Sequence, residues 1–368
     1  MILTLKLNFV NMNINLTPGP SQLFYTIPDH ARHAFKEGIT SISHRSKTFE
    51  SYFQKATEGL KELLGIPTDY FIFFTGSATE VWEKSIQNLV ESSSTHLVNG
   101  AFSNRYFDIA KQLGKQPQKV EAPLGENFSS HSISDYGTEL IAITQNETST
   151  GVSVTNEFIR QVREKNSESL IVVDAVSSMP YAALDYSQID SFFFSVQKGF
   201  GMPAGLGVWA VNPRCIEKAE SLLARGISIG SYHNLPTLLL NALKNQTSET
   251  PNVLGIYLLS CVVEDFLRIG IKKIRQETDY KAAILHQALK AHPLMSAFVK
   301  DESAQSKTVI VADCGEHSVR ISNYLSEHGF NPGEGYGEKK KSQLRFANFP
   351  AHSKEQYERM VDLIEKLG

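Results

Sequence analysis

The chain reads as an α/β protein: a mostly parallel sheet flanked by helices, followed by a smaller α+β unit. Three stretches predict this. Leu170-Ile-Val-Val-Asp174 is a continuous, largely β-branched run ending in a carboxylate, as in a strand buried on both faces that delivers a polar group to a ligand at its C-terminal end. Phe192-Phe-Phe194 is a second buried run, and it passes through Gln197 and Lys198 into a segment broken by Gly199, Gly201, Pro203, Gly205 and Gly207. Tyr70-Phe-Ile-Phe-Phe74 is the third, and it opens into Thr75-Gly-Ser-Ala-Thr-Glu-Val-Trp82, a small-residue turn leading into a helix.

With 368 residues, 41% of them hydrophobic, and a formal net charge of −3, the chain is long enough for two domains. It is neither basic enough to suggest nucleic acid nor acidic enough to suggest a charged tail. The expected division is a large domain over 16–256 and a small one over 257–368, with residues 1–15 packing on the latter. Cys215, Cys261 and Cys314 are odd in number and lack paired metal spacing, so free thiols in a reducing, cytoplasmic compartment and no metal are expected. Residues 1–10 are apolar, but no basic segment precedes them and Asn11, Asn13 and Asn15 follow. They predict a strand or an extension, not a signal or a membrane anchor.

In chain order, Leu16-Thr-Pro-Gly-Pro-Ser21 is a rigid turn, and Ile42-Ser-His-Arg-Ser46 sets an imidazole beside a guanidinium, donors suited to an anion but equally at home in a solvated loop. Apolar positions Phe49, Phe53, Ala56, Leu60, Leu63 and Leu64 predict a helix over 49–64. The turn at 75–79 predicts either a helix capped by Ser77 or Thr79, a phosphate cradle of amides and hydroxyls, or both at once. A strand over 96–100 leads to Phe102, and Leu140-Ile-Ala-Ile-Thr144 is another buried strand, ending in Gln145-Asn-Glu-Thr148-Ser-Thr-Gly151. After a strand over 208–211 come a turn at 229–237, helices over 254–269 and 274–292, strands over 308–312 and 343–348, and a last helix from Ser353.

Lys198 at a strand end beside apolar residues would lose solvation, which lowers its pKa from roughly 10.4 toward the range where the amine is nucleophilic. That is what a Schiff-base lysine requires, although a surface lysine would leave the same local pattern. Asp174 could equally be a helix cap or turn residue, but an acid followed two dozen residues later by a lysine, each at a strand end, fits pyridoxal phosphate. That cofactor needs a carboxylate against its ring nitrogen to act as an electron sink.

The chain resembles the phosphoserine aminotransferase branch of the class V, fold-type I pyridoxal-phosphate aminotransferases from about Leu16 to its C-terminus. The matching pieces, in the family's order, are Thr17-Pro-Gly-Pro20, Ile42-Ser-His-Arg45, Thr75-Gly-Ser-Ala-Thr79, Gln145-Asn-Glu-Thr148, Val173-Asp-Ala-Val-Ser177, Gln197-Lys198 and Pro203-Ala-Gly-Leu206. The resemblance implies a seven-stranded sheet, pyridoxal 5'-phosphate, and a homodimer whose active sites are shared across the interface. It makes Lys198 the catalytic amine and Asp174 its electrostatic partner. It gives Ser77, Ala78, Thr79, Phe102, Thr148, Gln197 and Asn234 to the cofactor, and His44, Arg45 and Arg345 to the substrate. Phe102 would stack on the ring. Asn234, His44 and Arg45 would reach the partner's site.

The chain also departs from the family. Many bacterial members carry a Gly-Gly-Gly-Arg run in the turn where this chain has Ser-Ala-Thr and then Glu80, Leu235 replaces a hydroxyl beside Asn234, and Glu338-Lys-Lys-Lys341 stands where a His-Arg pair is often found. The expected reaction is transfer of an amino group from glutamate to 3-phosphohydroxypyruvate, in serine biosynthesis. A class V alanine or serine–glyoxylate aminotransferase and a non-catalytic protein of the same fold are the alternatives.

Overall fold

The computed structural model describes residues 13–367, so the strand or extension expected over 1–10 lies outside the described residues. Seven strands form the larger sheet in the order Phe71–Thr75, Gly207–Val211, Ser191–Ser195, Leu170–Asp174, Leu140–Thr144, Ser93–Val98 and Gln116–Glu121. Gly207–Val211 runs antiparallel to both neighbours, and the other pairings are parallel. The sheet is thus the mostly parallel α/β sheet that the buried runs predict. Helices cover both faces, so alternate residues feed two cores. Ile141, Ile143, Ile171, Val173, Phe192 and Phe194 join one, while Leu140, Ala142, Leu170, Val172 and Phe193 join the other.

Register brings the polar strand ends to one edge. Thr144 lies opposite Asp174, Asp174 opposite Phe193, and Gly207 opposite both Ser195 and Thr75. The turns leaving that edge feed helices with side-chain caps: Ser77 accepts from the Glu80 amide at the head of Ala78–Leu89. Gly207 permits the close approach there, since a Cβ would come 2.4 Å from Thr75 Oγ1.

A five-stranded sheet, ordered Ile14–Leu16, Phe330–Glu334, Gln343–Ala347, Val309–Asp313 and Ser296–Ala297, forms the smaller unit. Helices Ile271–Lys290, Ser318–Glu327 and Lys354–Glu365 bury Leu285, Ile321, Tyr357 and Met360 against it. The sequence suggests only two of these strands. Phe330–Glu334 contains Pro332 and Gly333, which read as a turn, yet it pairs with Ile14–Leu16 on one side and Gln343–Ala347 on the other. Helix Val253–Ile269 runs through the boundary expected at 257, and its buried face (Ile256, Leu259, Val263, Phe266) belongs to the large core together with helix Lys47–Leu64. Gly270, at φ 88, lies between this helix and Ile271–Lys290. Among the described residues no helix is long and apolar enough to cross a membrane.

Candidate active site

Lys198 is 7% exposed just beyond strand Ser191–Ser195, and its Nζ donates to Thr148 Oγ1 at 3.1 Å. Burial pulls its pKa down to about 8, and Asp174 pulls the other way. The Asp174 carboxyl, 3% exposed, accepts the Val176 amide at 2.9 Å on Oδ1 and the Trp82 indole N–H at 2.8 Å on Oδ2. Burial pushes its pKa up to about 6, while those two donors and Lys198 hold it from rising further. A cationic nitrogen brought against this carboxyl would supply the charge pairing that burial leaves wanting.

Both side chains face a cavity of about 230 Å³ at the sheet edge, which Ser77, Ala78, Thr79, Phe102, Thr148, Gln197 and Arg345 also line. A larger cavity of about 720 Å³ lies around Glu139, Lys165 and Arg214, at the opposite ends of strands Leu140–Thr144 and Leu170–Asp174. Chemistry rather than volume marks the smaller one. Gly19, at φ 129, forms part of its wall, and a Cβ there would come 2.7 Å from Lys198 Cε. Phe102 lies near the head of helix Ala101–Gln112, its ring centre 5.4 Å from Lys198 Nζ and 5.1 Å from the Tyr336 ring. Thr148 and Asn146 both donate to Ser177 Oγ, at 2.8 and 2.7 Å. Arg345 donates to Glu334 O at 2.7 Å and Thr148 O at 3.3 Å, with its guanidinium 5.6 Å from the Tyr336 ring centre.

The donor set fits pyridoxal phosphate. A buried carboxyl faces a buried amine, an aromatic ring borders the space between, and the head of a helix carries the Ser77 and Thr79 hydroxyls. The Ala78 amide is held by Ser195 Oγ at 2.8 Å and the Glu80 amide by Ser77 Oγ at 3.2 Å, which leaves the Thr79 end of the turn turned to the cavity. Gln197 Oε1 is buried there without a protein partner.

Three expected residues are not part of this cavity. Asn234 caps helix Leu235–Ala242, accepting the Thr237 amide at 3.0 Å. Arg45 is exposed and donates through Nη1 to Gln246 Oε1 at 2.8 Å, Thr247 O at 2.9 Å and Asn241 Oδ1 at 3.3 Å. His44 lies beside it, half-buried. Of the lysine run, Lys339 borders a neighbouring cavity of about 680 Å³ that shares Tyr336, and Lys340 pairs with Glu334 at 3.2 Å.

Sequence reasoning missed Trp82, Ser177, Ser195 and Tyr336, which touch the expected residues. Trp82 alone carried a signal, an indole one turn into the helix that follows the small-residue turn. His233, in the turn at 229–237, is 3% exposed between two carboxylates. Its Nδ1 lies 2.5 Å from Glu80 Oε1, and its Nε2 lies 2.9 Å from Glu249 Oε2. Glu80, which follows the turn at 75–79, thus binds a histidine and the Gly76 amide.

The family model described as Aminotransferase class-V matches residues 14–331. A phosphoserine aminotransferase of Corynebacterium glutamicum is 29% identical, over 98% of this chain and 96% of its own. Among solved structures, a phosphoserine aminotransferase of Cytophaga hutchinsonii is 46% identical with a TM-score of 0.95, covering 97% of this chain and 99% of that one. An alanine–glyoxylate aminotransferase of Nostoc, 20% identical with a TM-score of 0.80 over 97% of this chain and 95% of that one, shares the fold.

Proposed function

The chain belongs to the class V aminotransferases, and from that premise we propose that it is a phosphoserine aminotransferase, moving an amino group from glutamate to 3-phosphohydroxypyruvate to give O-phosphoserine and 2-oxoglutarate. The buried Lys198–Asp174 pair facing one cavity carries this reading. Pyridoxal phosphate, when bound, supplies the electron sink at the substrate Cα and carries the amino group between the two substrates.

The remaining work falls to side chains. Lys198, held by Thr148 and with its pKa brought to about 8, would hold the cofactor through Nζ and would take and return the proton at the substrate Cα. Asp174, fixed by Trp82 and Val176, presents charge to the ring nitrogen. Ser77, Ala78 and Thr79 would receive the cofactor phosphate at a helix N-terminus, where the dipole and the hydroxyls favour an anion. Phe102, which lines the cavity, would cover one face of the cofactor and keep water off it. Gln197 offers its unpaired oxygen to the ring's surroundings. Arg345 holds the substrate α-carboxylate with its planar fork, its stem already anchored by Glu334 O and Thr148 O.

Asn234, His44 and Arg45 act in a second copy's site. Tyr25, Phe35, Leu240 and Leu243 are 64–74% exposed, and the last two flank Asn241, to which Arg45 is tied. Apolar side chains at that exposure are covered in a homodimer that brings Arg45 and Asn234 to the partner's cavity. The protein then works in the cytoplasm, in serine biosynthesis.

The test is a substrate panel with purified holoenzyme. O-phosphoserine should form from glutamate and 3-phosphohydroxypyruvate, while faster turnover of alanine with glyoxylate would replace this reading by the alanine–glyoxylate one.

A further inference from the structure

Glu147 is 0% exposed, and its carboxylate collects five donors. Oε1 accepts the Phe102 amide at 3.3 Å, the Ser149 amide at 3.1 Å and the Ser149 hydroxyl at 2.6 Å; Oε2 accepts the Ser103 amide at 2.9 Å and the Ser103 hydroxyl at 2.8 Å. Helix Ala101–Gln112 begins at Gly100, which has no side chain to cap it. A Cβ on Gly100 would come 2.4 Å from Glu147 Cγ, so the capping group arrives from a different segment, the short hairpin Asn146–Glu147/Val152–Ser153. An anion at that place also complements the helix dipole. The Ser149 hydroxyl extends the contact by accepting the Ala101 amide at 3.0 Å.

This arrangement does more than finish a helix. The capped turn carries Phe102, and the residue after Glu147 is Thr148, whose hydroxyl receives Lys198 and whose carbonyl receives Arg345. We propose that Glu147 is the positioning residue of the active site, one buried carboxylate that fixes the aromatic face, the amine and the carboxylate-binding guanidinium relative to one another. Its charge also acts at a distance, favouring the protonated Lys198 and opposing ionisation of Asp174. The inference rests on the cofactor reading of Phe102, Thr148 and Lys198.

Glu147→Gln keeps the shape but places an NH₂ against N–H donors, leaving buried donors unsatisfied. Reconstituting the apoprotein with pyridoxal phosphate should show a dissociation constant raised about tenfold or more. The pH midpoint of the bound cofactor's absorbance band should fall by about half a unit, because the nearby negative charge is gone. A variant that melts earlier yet keeps both the wild-type dissociation constant and midpoint would reduce Glu147 to an ordinary helix cap and overturn the inference. If Glu147→Gln does not fold, Ser149→Ala decides: it removes one donor and keeps the charge, so the dissociation constant should rise roughly threefold with the midpoint in place, and an unchanged constant would overturn the inference. Borohydride fixation of the cofactor to a Lys198 peptide in the wild type tests the underlying site separately.

Discussion

Lys198→Ala removes the amine that Thr148 holds, so turnover should fall at least about a hundredfold while far-ultraviolet circular dichroism keeps its wild-type shape. In the wild type, reduction with borohydride should fix the cofactor to the peptide containing Lys198, and labelling of another lysine would refute the assignment. Asp174→Asn preserves size and the Val176 contact but cannot carry charge to a ring nitrogen; single-turnover proton abstraction should slow roughly a hundredfold, with a smaller change in cofactor affinity. Wild-type single-turnover rates in that variant would remove the electron-sink role. Both residues were legible because each combines a strand end with a group that is costly to bury without a purpose. Trp82 was legible only by its place in the helix, and Ser177 and Glu147 were not, since the partners that tie them to the site lie 29 to 31 and 44 to 45 positions away in the chain.

At the scale of elements, the clasp Glu80–His233–Glu249 joins the turn at the head of helix Ala78–Leu89 to the turn before helix Leu235–Ala242. Burial would lower the His233 pKa, but the two carboxylates outweigh it and bring it up to about 9 from the ordinary 6.5. A folded-state value above the unfolded one stabilises fully below about pH 6.5, and the contribution is lost as pH rises through 9. Lys84 and Tyr232 also face this cluster, and the Glu80 and Glu249 pKa values are lowered despite burial. His233→Asn suits the left-handed backbone at φ 51 while removing the charge. Its melting temperature should lie below that of the wild type by about 2 °C or more at pH 6, and the gap should close by pH 10. A gap that did not change with pH would deny the clasp its charge. Elements with a strong pattern were legible, such as the helical period of Lys47–Leu64 and the continuous apolar run of strand Leu170–Asp174. Strand Phe330–Glu334 was hidden by its Pro-Gly pair, and the burial of His233 by the fact that both its partners are distant in sequence.

At the scale of the whole molecule, the architecture was legible from the order of strand ends, whereas the residues expected to act across a subunit boundary stay apart from their own chain's cavity. Light scattering should give twice the 41.0 kDa chain mass, and Leu240→Asp with Leu243→Asp should shift it toward the monomer with loss of activity. An active monomer would overturn the shared site. If Arg45 donates to the substrate phosphate as proposed, a charged hydrogen bond to phosphate contributes on the order of 1.5–3 kcal/mol, so Arg45→Ala should lower kcat/KM for 3-phosphohydroxypyruvate by roughly ten- to a hundredfold. An unchanged value would move phosphate recognition to Lys339–Lys341.

The most direct measurement is the ratio of kcat/KM for 3-phosphohydroxypyruvate to that for hydroxypyruvate, with glutamate as amino donor and the wild-type holoenzyme. The two acceptors differ only by the phosphate, so a site built around that group should prefer the phosphorylated acid by at least about a hundredfold. A ratio near one, or a preference for hydroxypyruvate, would contradict the phosphoserine assignment while leaving Lys198 and Asp174 as the machinery of a different transaminase.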